Sequence, residues 1–91
     1  MPIDNDSYTV GTASAISIVP ASNMEQNVLI HNNSSDSANI YIGGTDQIGT
    51  ATGTLLTPEE RISIDLGPGD EIFAISDTDG IDVRVLRVTA D

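Results

Sequence analysis

Few side chains in this sequence could do chemistry. There is one histidine, His31, and no cysteine. Asp77-Thr78-Asp79-Gly80-Ile81-Asp82 looks at first like the start of a calcium loop. Such a loop takes oxygen ligands at positions 1, 3 and 5, a glycine at 6 and a bidentate glutamate at 12. Here the glycine comes two residues early and no glutamate follows at the right distance. The motif reads instead as a hairpin turn built on the Asp79-Gly80 pair. Gly67-Pro68-Gly69-Asp70 reads as a β-turn, in which proline fixes one φ and glycine supplies a positive one. As part of a metal site it would need histidines downstream, and none follows. The glycine-rich stretches Gly43-Gly44-Thr45 and 49–54 cannot be phosphate loops, because the chain has no lysine. A Ser-His-Asp arrangement would rest on His31 alone, on a strand. The sequence therefore predicts no enzyme, no metal and no cofactor.

The charge balance narrows the partners. Three arginines face fourteen carboxylates, giving a net charge of −11. Nucleic acid binding requires cations that displace counterions from phosphates. The expectation is no nucleic acid and no anionic membrane. The acidity serves solubility, or docking on a partner that carries basic groups. No apolar run reaches the length of a membrane span. The start, Met1-Pro2-Ile3-Asp4-Asn5-Asp6, has neither a basic nor an apolar leader region. The expectation is a chain made in a cytoplasm.

The elements that must position any site repeat with a period of two. Arg61-Ile62-Ser63-Ile64-Asp65-Leu66 alternates strictly, as a half-buried strand does. Residues 15–19, 27–32 and 38–42 read as further strands with Ile16 and Ile18, Val28 and Ile30, and Ile40 and Ile42 inward. Residues 71–76 read as a strand buried on both faces. In Asp82–Val88 the doublet Val85-Leu86 breaks the phase and predicts a β-bulge or a change of sheet there. Turns rich in Gly, Pro, Asn and Asp separate these runs about every ten residues, the spacing of a sandwich or barrel. The predicted core face joins Ile62, Ile64 and Leu66 to Ile40, Ile42, Val83 and Val85. The predicted fold is all-β, an antiparallel β-sandwich or barrel of about seven strands. It has an extended N-terminal arm over residues 1–12 and a single domain over 13–91. Ile3, Tyr8 and Val10 are isolated apolar residues in that arm, and are the candidate partner-binding residues. On this reading the arm can be lost without loss of folding.

A chain of 91 residues buries only roughly 60–65% of its unfolded surface. Without disulfide or metal, self-association is the remaining supplement. The expected state is a homo-oligomer, a homotrimer.

The strings Asn27-Val28-Leu29-Ile30-His31-Asn32, Ile40-Tyr41-Ile42-Gly43, Gly53-Thr54-Leu55-Leu56-Thr57-Pro58 and Ile62-Ser63-Ile64-Asp65-Leu66 form a familiar style. It continues through Asp70–Ser76 and Val83–Leu86. Over residues 26–88 the chain resembles small β-sandwich virion proteins of tailed bacteriophages, including head decoration (cement) proteins. The resemblance implies a non-enzymatic protein on the outer capsid surface of the virion. It would bind the phage major capsid protein, often as a trimer. Phage neck, tail and fibre-borne binding modules share the style and are the alternative. A carbohydrate-binding sandwich is disfavoured, since the chain has no Trp and only Tyr8 and Tyr41 for stacking on sugars.

Overall fold

Alternating apolar residues bury one face of a strand, and two such sheets bury each other. The computed structural model describes residues 3–34 and 38–89. These form eight strands: β1 (Ile3–Val10), β2 (Ile16–Val19), β3 (Gln26–Asn32), β4 (Ile40–Gly43), β5 (Thr54–Leu56), β6 (Arg61–Leu66), β7 (Ile72–Ser76) and β8 (Ile81–Thr89). Two four-stranded sheets result, ordered β1-β8-β3-β6 and β2-β7-β4-β5, with every pairing antiparallel. They share one core. Val10, Val28, Ile30, Val83 and Val85 of one sheet and Ile18, Val19, Ile40 and Ala74 of the other are all 0% exposed. The fold is the expected all-β sandwich.

The eighth strand is the segment read as an arm. Residues 3–10 are extended, but they are paired with β8 along their whole length, from Ile3 opposite Val88 to Val10 opposite Ile81. Val10 is in the core and Tyr8 packs against it. The sequence hid this strand because Asp4 and Asp6 occupy its inward phase. Both meet Arg87, which pairs with Asp6 at 3.0 Å and Asp4 at 3.9 Å at the end of the sandwich. Inward charges on an edge strand also discourage pairing with foreign strands.

The bulge expected at Val85-Leu86 is absent. β8 keeps one register against both neighbours, so Leu86 and Val88 simply face outward and Arg87 takes the inward phase. The irregularity lies in β2, between Ser17 and Val19, and lets both Ile18 and Val19 be buried.

A buried amide ties the two sheets together. Asn32, at the end of β3, is 0% exposed. Its Nδ2 donates to the carbonyls of Ala38 (3.2 Å), just before β4, and Leu56 (3.0 Å), in β5. Turns follow their sequence chemistry. Gly69 and Gly80 take φ of 86° and 76° in the Gly67–Asp70 and Asp77–Gly80 connections.

All of the predicted core face lies on the inner side, but Ile62 and Ile64 are only partly buried. β6 is an edge strand, and β5 across from it is short. The sequence reading puts the cost of Ile64→Ala at about 2–4 kcal/mol, the range for a sealed core site. The observed exposure lowers that to about 1–2 kcal/mol, whereas Ile30→Ala should cost about 3–4 kcal/mol. Urea denaturation of the two variants measures the difference; equal midpoints would contradict the assigned burial.

Candidate functional site

The outer face of the second sheet is partly covered by its own loop. Residues 44–53 bring Gly53 so close to Tyr41 that a Cβ there would lie 2.7 Å from Tyr41 Cβ, so only glycine fits. The outer face of β1-β8-β3-β6 is open. The strand registers arrange it in cross-strand rows. Ile3, Val88, Asn27 and Asp65 form one, Asn5, Leu86, Leu29 and Ser63 the next. Ser7, Arg84, His31 and Arg61 form the third.

Two features coincide there. Leu86 and Ile3 are 36% and 66% exposed, and half-buried Leu29 and Val88 complete an apolar patch. Beside it, two of the three arginines and the one histidine share a single row, on a chain of net charge −11. Adjacent strands stand about 4.8 Å apart, so these side chains are near neighbours. Three shallow depressions converge on His31; Asn5, Leu29, Arg61 and Arg84 are among the residues that line them, and so are two carboxylates, Asp6 and Glu59. Asp82 anchors Arg84, whose Nε and Nη2 donate to its carboxylate at 3.0 and 2.9 Å. Hydrogen bonding to Arg84, then to Asn33, holds the Asp82 carboxyl below the usual range, and Arg84 is correspondingly raised. The side chains of His31 and Arg61 have no hydrogen-bonded partner among the described residues. This arrangement can receive a carboxylate-bearing surface and bury apolar side chains next to it. Exposed ion pairs contribute about 0–1 kcal/mol each, so affinity would come from the apolar part and selectivity from the cations.

The three candidate residues of the sequence reading part company. Ile3 belongs to this patch. Tyr8 and Val10 take the inward phase of β1, Val10 fully buried and Tyr8 partly so. Burial, and after it Asp6, pushes the Tyr8 hydroxyl pKa up, against an opposing effect of Arg87. The cationic row itself was missed. Its members sit at unremarkable outward positions of three strands, and only the pairing of β3 with β6 and β8 brings them together.

The carboxylates of the calcium-like motif hold the fold. Asp79 accepts from the Thr12 N–H at 2.8 Å and hydroxyl at 3.0 Å, and Asp77 from the Asn39 N–H at 3.0 Å and Nδ2 at 3.2 Å. These bonds favour the charged forms, so both pKa values are lowered, chiefly by the Asn39 N–H for Asp77 and the Thr12 N–H for Asp79. Among the described residues no three His, Asp or Glu side chains are grouped to hold a metal ion. A depressed carboxyl stabilises above its unfolded pKa, and that contribution is lost as pH falls through the folded value. The protection factors of the Thr12 and Asn39 amides are therefore expected to drop below the ordinary aspartate range, ahead of global unfolding. Protection that persisted at pH 2 would count against these contacts.

No protein-family model matches the chain, and no curated protein matches it in sequence. Among solved structures it is similar to a chain from Bacillus endospore appendages, described as a family of disulfide-linked pili. That match has a TM-score of 0.55 and 11% identity, over 99% of this chain and 87% of the other. It is also similar to Aeromonas hydrophila PliG, a periplasmic inhibitor of g-type lysozyme. There the TM-score is 0.49 and the identity 9%, over 98% and 85% of the two chains. At 11% identity the first likeness is one of fold.

Proposed function

We propose that this chain is a non-enzymatic structural protein of a bacteriophage virion. In this reading it is a decoration protein made in the host cytoplasm and placed on the outer capsid surface. The observation that carries it is the open outer face of β1-β8-β3-β6, where an apolar patch adjoins the row of Arg84, His31 and Arg61. The resemblance of residues 26–88 to phage virion sandwiches supplies the setting. A chain of similar fold builds the Bacillus endospore appendages, so the sandwich is compatible with life in an assembly.

The proposed arrangement is a homo-oligomer, a homotrimer, on the major capsid protein. On a chain of −11, the row is where repulsion of another copy's acidic surface is least, because Asp82 is neutralised by Arg84 and the Arg61 guanidinium is unpaired among the described residues. Contact of that row with a different surface of the next copy is head-to-tail, and a head-to-tail contact that closes makes a ring. Repulsion among the remaining charges is screened beyond about 8 Å at physiological salt. The test combines sedimentation equilibrium with binding to capsids stripped of their outer proteins. Wild type is expected to associate and to bind, and the Arg61→Glu/Arg84→Glu double variant to do both at least 10-fold more weakly. A monomeric wild type that ignores capsids would refute the decoration reading. A double variant that behaves as wild type would refute the role of this face.

A further inference from the structure

The sandwich is open along the edge formed by β6. Ile62 and Ile64 face inward, yet they are only partly buried, while their cross-strand neighbours Ile30 and Val28 are 0% exposed. Across from them β5 ends after three residues, Thr54–Leu56. The gap is a cleft of about 480 Å³ with a mixed lining, Ile42, Ile62, Ile64 and Ile72 on the one hand and Asp70 and Glu71 on the other. Among the described residues β6 pairs only with β3, so the backbone groups on its other side have no described strand to bond. The edge at β1 is guarded by the inward carboxylates Asp4 and Asp6, but β6 carries no inward charge. An unguarded strand edge beside an inter-sheet cleft that offers isoleucine side chains is the geometry of strand addition.

We propose that this cleft receives an extended segment of a partner protein, apolar at alternate positions and cationic at the end beside Leu66. Its backbone would pair with β6, and every second side chain would enter between the sheets. The charge of the cleft selects the partner. Asp70 and Glu71 stand at its mouth, and Glu25 and Asp65 line the adjoining depression around Leu66, with no arginine in either. A second copy of this chain is therefore disfavoured here. Its net charge is −11, and its one segment of that pattern with a free cationic end, β6 from Arg61, already packs Ile62 and Ile64 against its own core. The inference concerns a different surface from the outer face and does not depend on the decoration reading.

The test uses the full chain and a seven-residue synthetic peptide of alternating valine and threonine with two further lysines at one end. Titration is followed by NMR at the β6 amides and isoleucine methyls. Saturable shifts confined to β6 and to Ile42, Ile62, Ile64 and Ile72 are expected. A peptide with glutamates in place of the lysines should bind at least 10-fold more weakly. Gly44→Phe supplies a folded blocking variant, because Gly44 lines the cleft and an added Cβ there meets no atom within 4 Å. It should keep the wild-type melting temperature and lose the shifts. No shift at millimolar peptide, or equal binding of both peptides, would overturn the proposal. So would concentration-dependent shifts at β6 without peptide, which would assign the edge to a second copy instead.

Discussion

Replacing Asn32 by aspartate is expected to unfold most of the protein at neutral pH, although the two side chains have the same shape. Asn32 is fully buried, and its amide donates to the Ala38 and Leu56 carbonyls. Its own N–H donates to the Glu60 carbonyl at 3.0 Å, and its carbonyl accepts from the Glu59 N–H at 2.8 Å. The backbone therefore holds the side chain in place. Aspartate would put a charged acceptor against two carbonyl oxygens, away from water. An uncompensated buried charge costs about 3–5 kcal/mol. A small domain has about 5 kcal/mol or little more in total. Asn32→Ala loses both hydrogen bonds but introduces no charge, so it should cost about 2–3 kcal/mol. The two variants also differ in pH dependence. Burial raises the folded pKa of the new carboxyl above its unfolded value. Its penalty is thus smallest below the unfolded pKa and grows as pH rises toward the folded one. Thermal melts of Asn32→Asp should improve on acidification relative to Asn32→Ala. Parallel pH profiles for the two would show that the site is wetter than the structure has it.

Deleting residues 1–10 is expected to leave a chain that does not fold to a soluble monomer. The sequence reading predicts the opposite, because it treats this segment as an arm that orders only on contact. The deletion removes Val10 from the core, takes Tyr8 from its margin and strips β8 of a partner along its length. Val10 alone contributes about 1.5–3 kcal/mol by burial. With Tyr8 and the pairing, the loss is roughly 4–5 kcal/mol, comparable to the stability of a small domain. It also exposes β8, whose Val83 and Val85 make it a sticky edge. Loss of cooperative melting with dye-binding aggregates is the expected result. A truncated chain with a normal melt would restore the arm reading. The milder variant Val10→Ala separates packing from pairing, and should cost about 2 kcal/mol with the fold kept.

Asn32 and β1 mark where local sequence stops being informative. Asn32 opens a run of Asn, Ser and Asp, the composition of a surface turn. Nothing local says that the first of these is sealed between two sheets, because its partners lie 6 and 24 residues away. β1 was illegible for a related reason. Its inward phase carries two aspartates, and their compensation, Arg87, lies 81 residues from Asp6.

What the sequence determined by itself was everything set by the period of two. Strict alternation assigned the inward faces of β3, β4, β6 and the first part of β8, and Gly, Pro and Asp chemistry placed the turns at 67–70 and 77–80. An acidic chain without lysine or cysteine also excluded phosphate loops, disulfides and thiolate metal sites. The tertiary structure decided which strands are neighbours. Pairing of β3 with β6 and β8 gathers Arg84, His31 and Arg61 into one row, and the shortness of β5 opens the cleft along β6. Alternation says only which face of a strand a residue takes. Strand order and register are fixed by contacts between residues far apart in the chain, and both proposed surfaces exist only through those contacts.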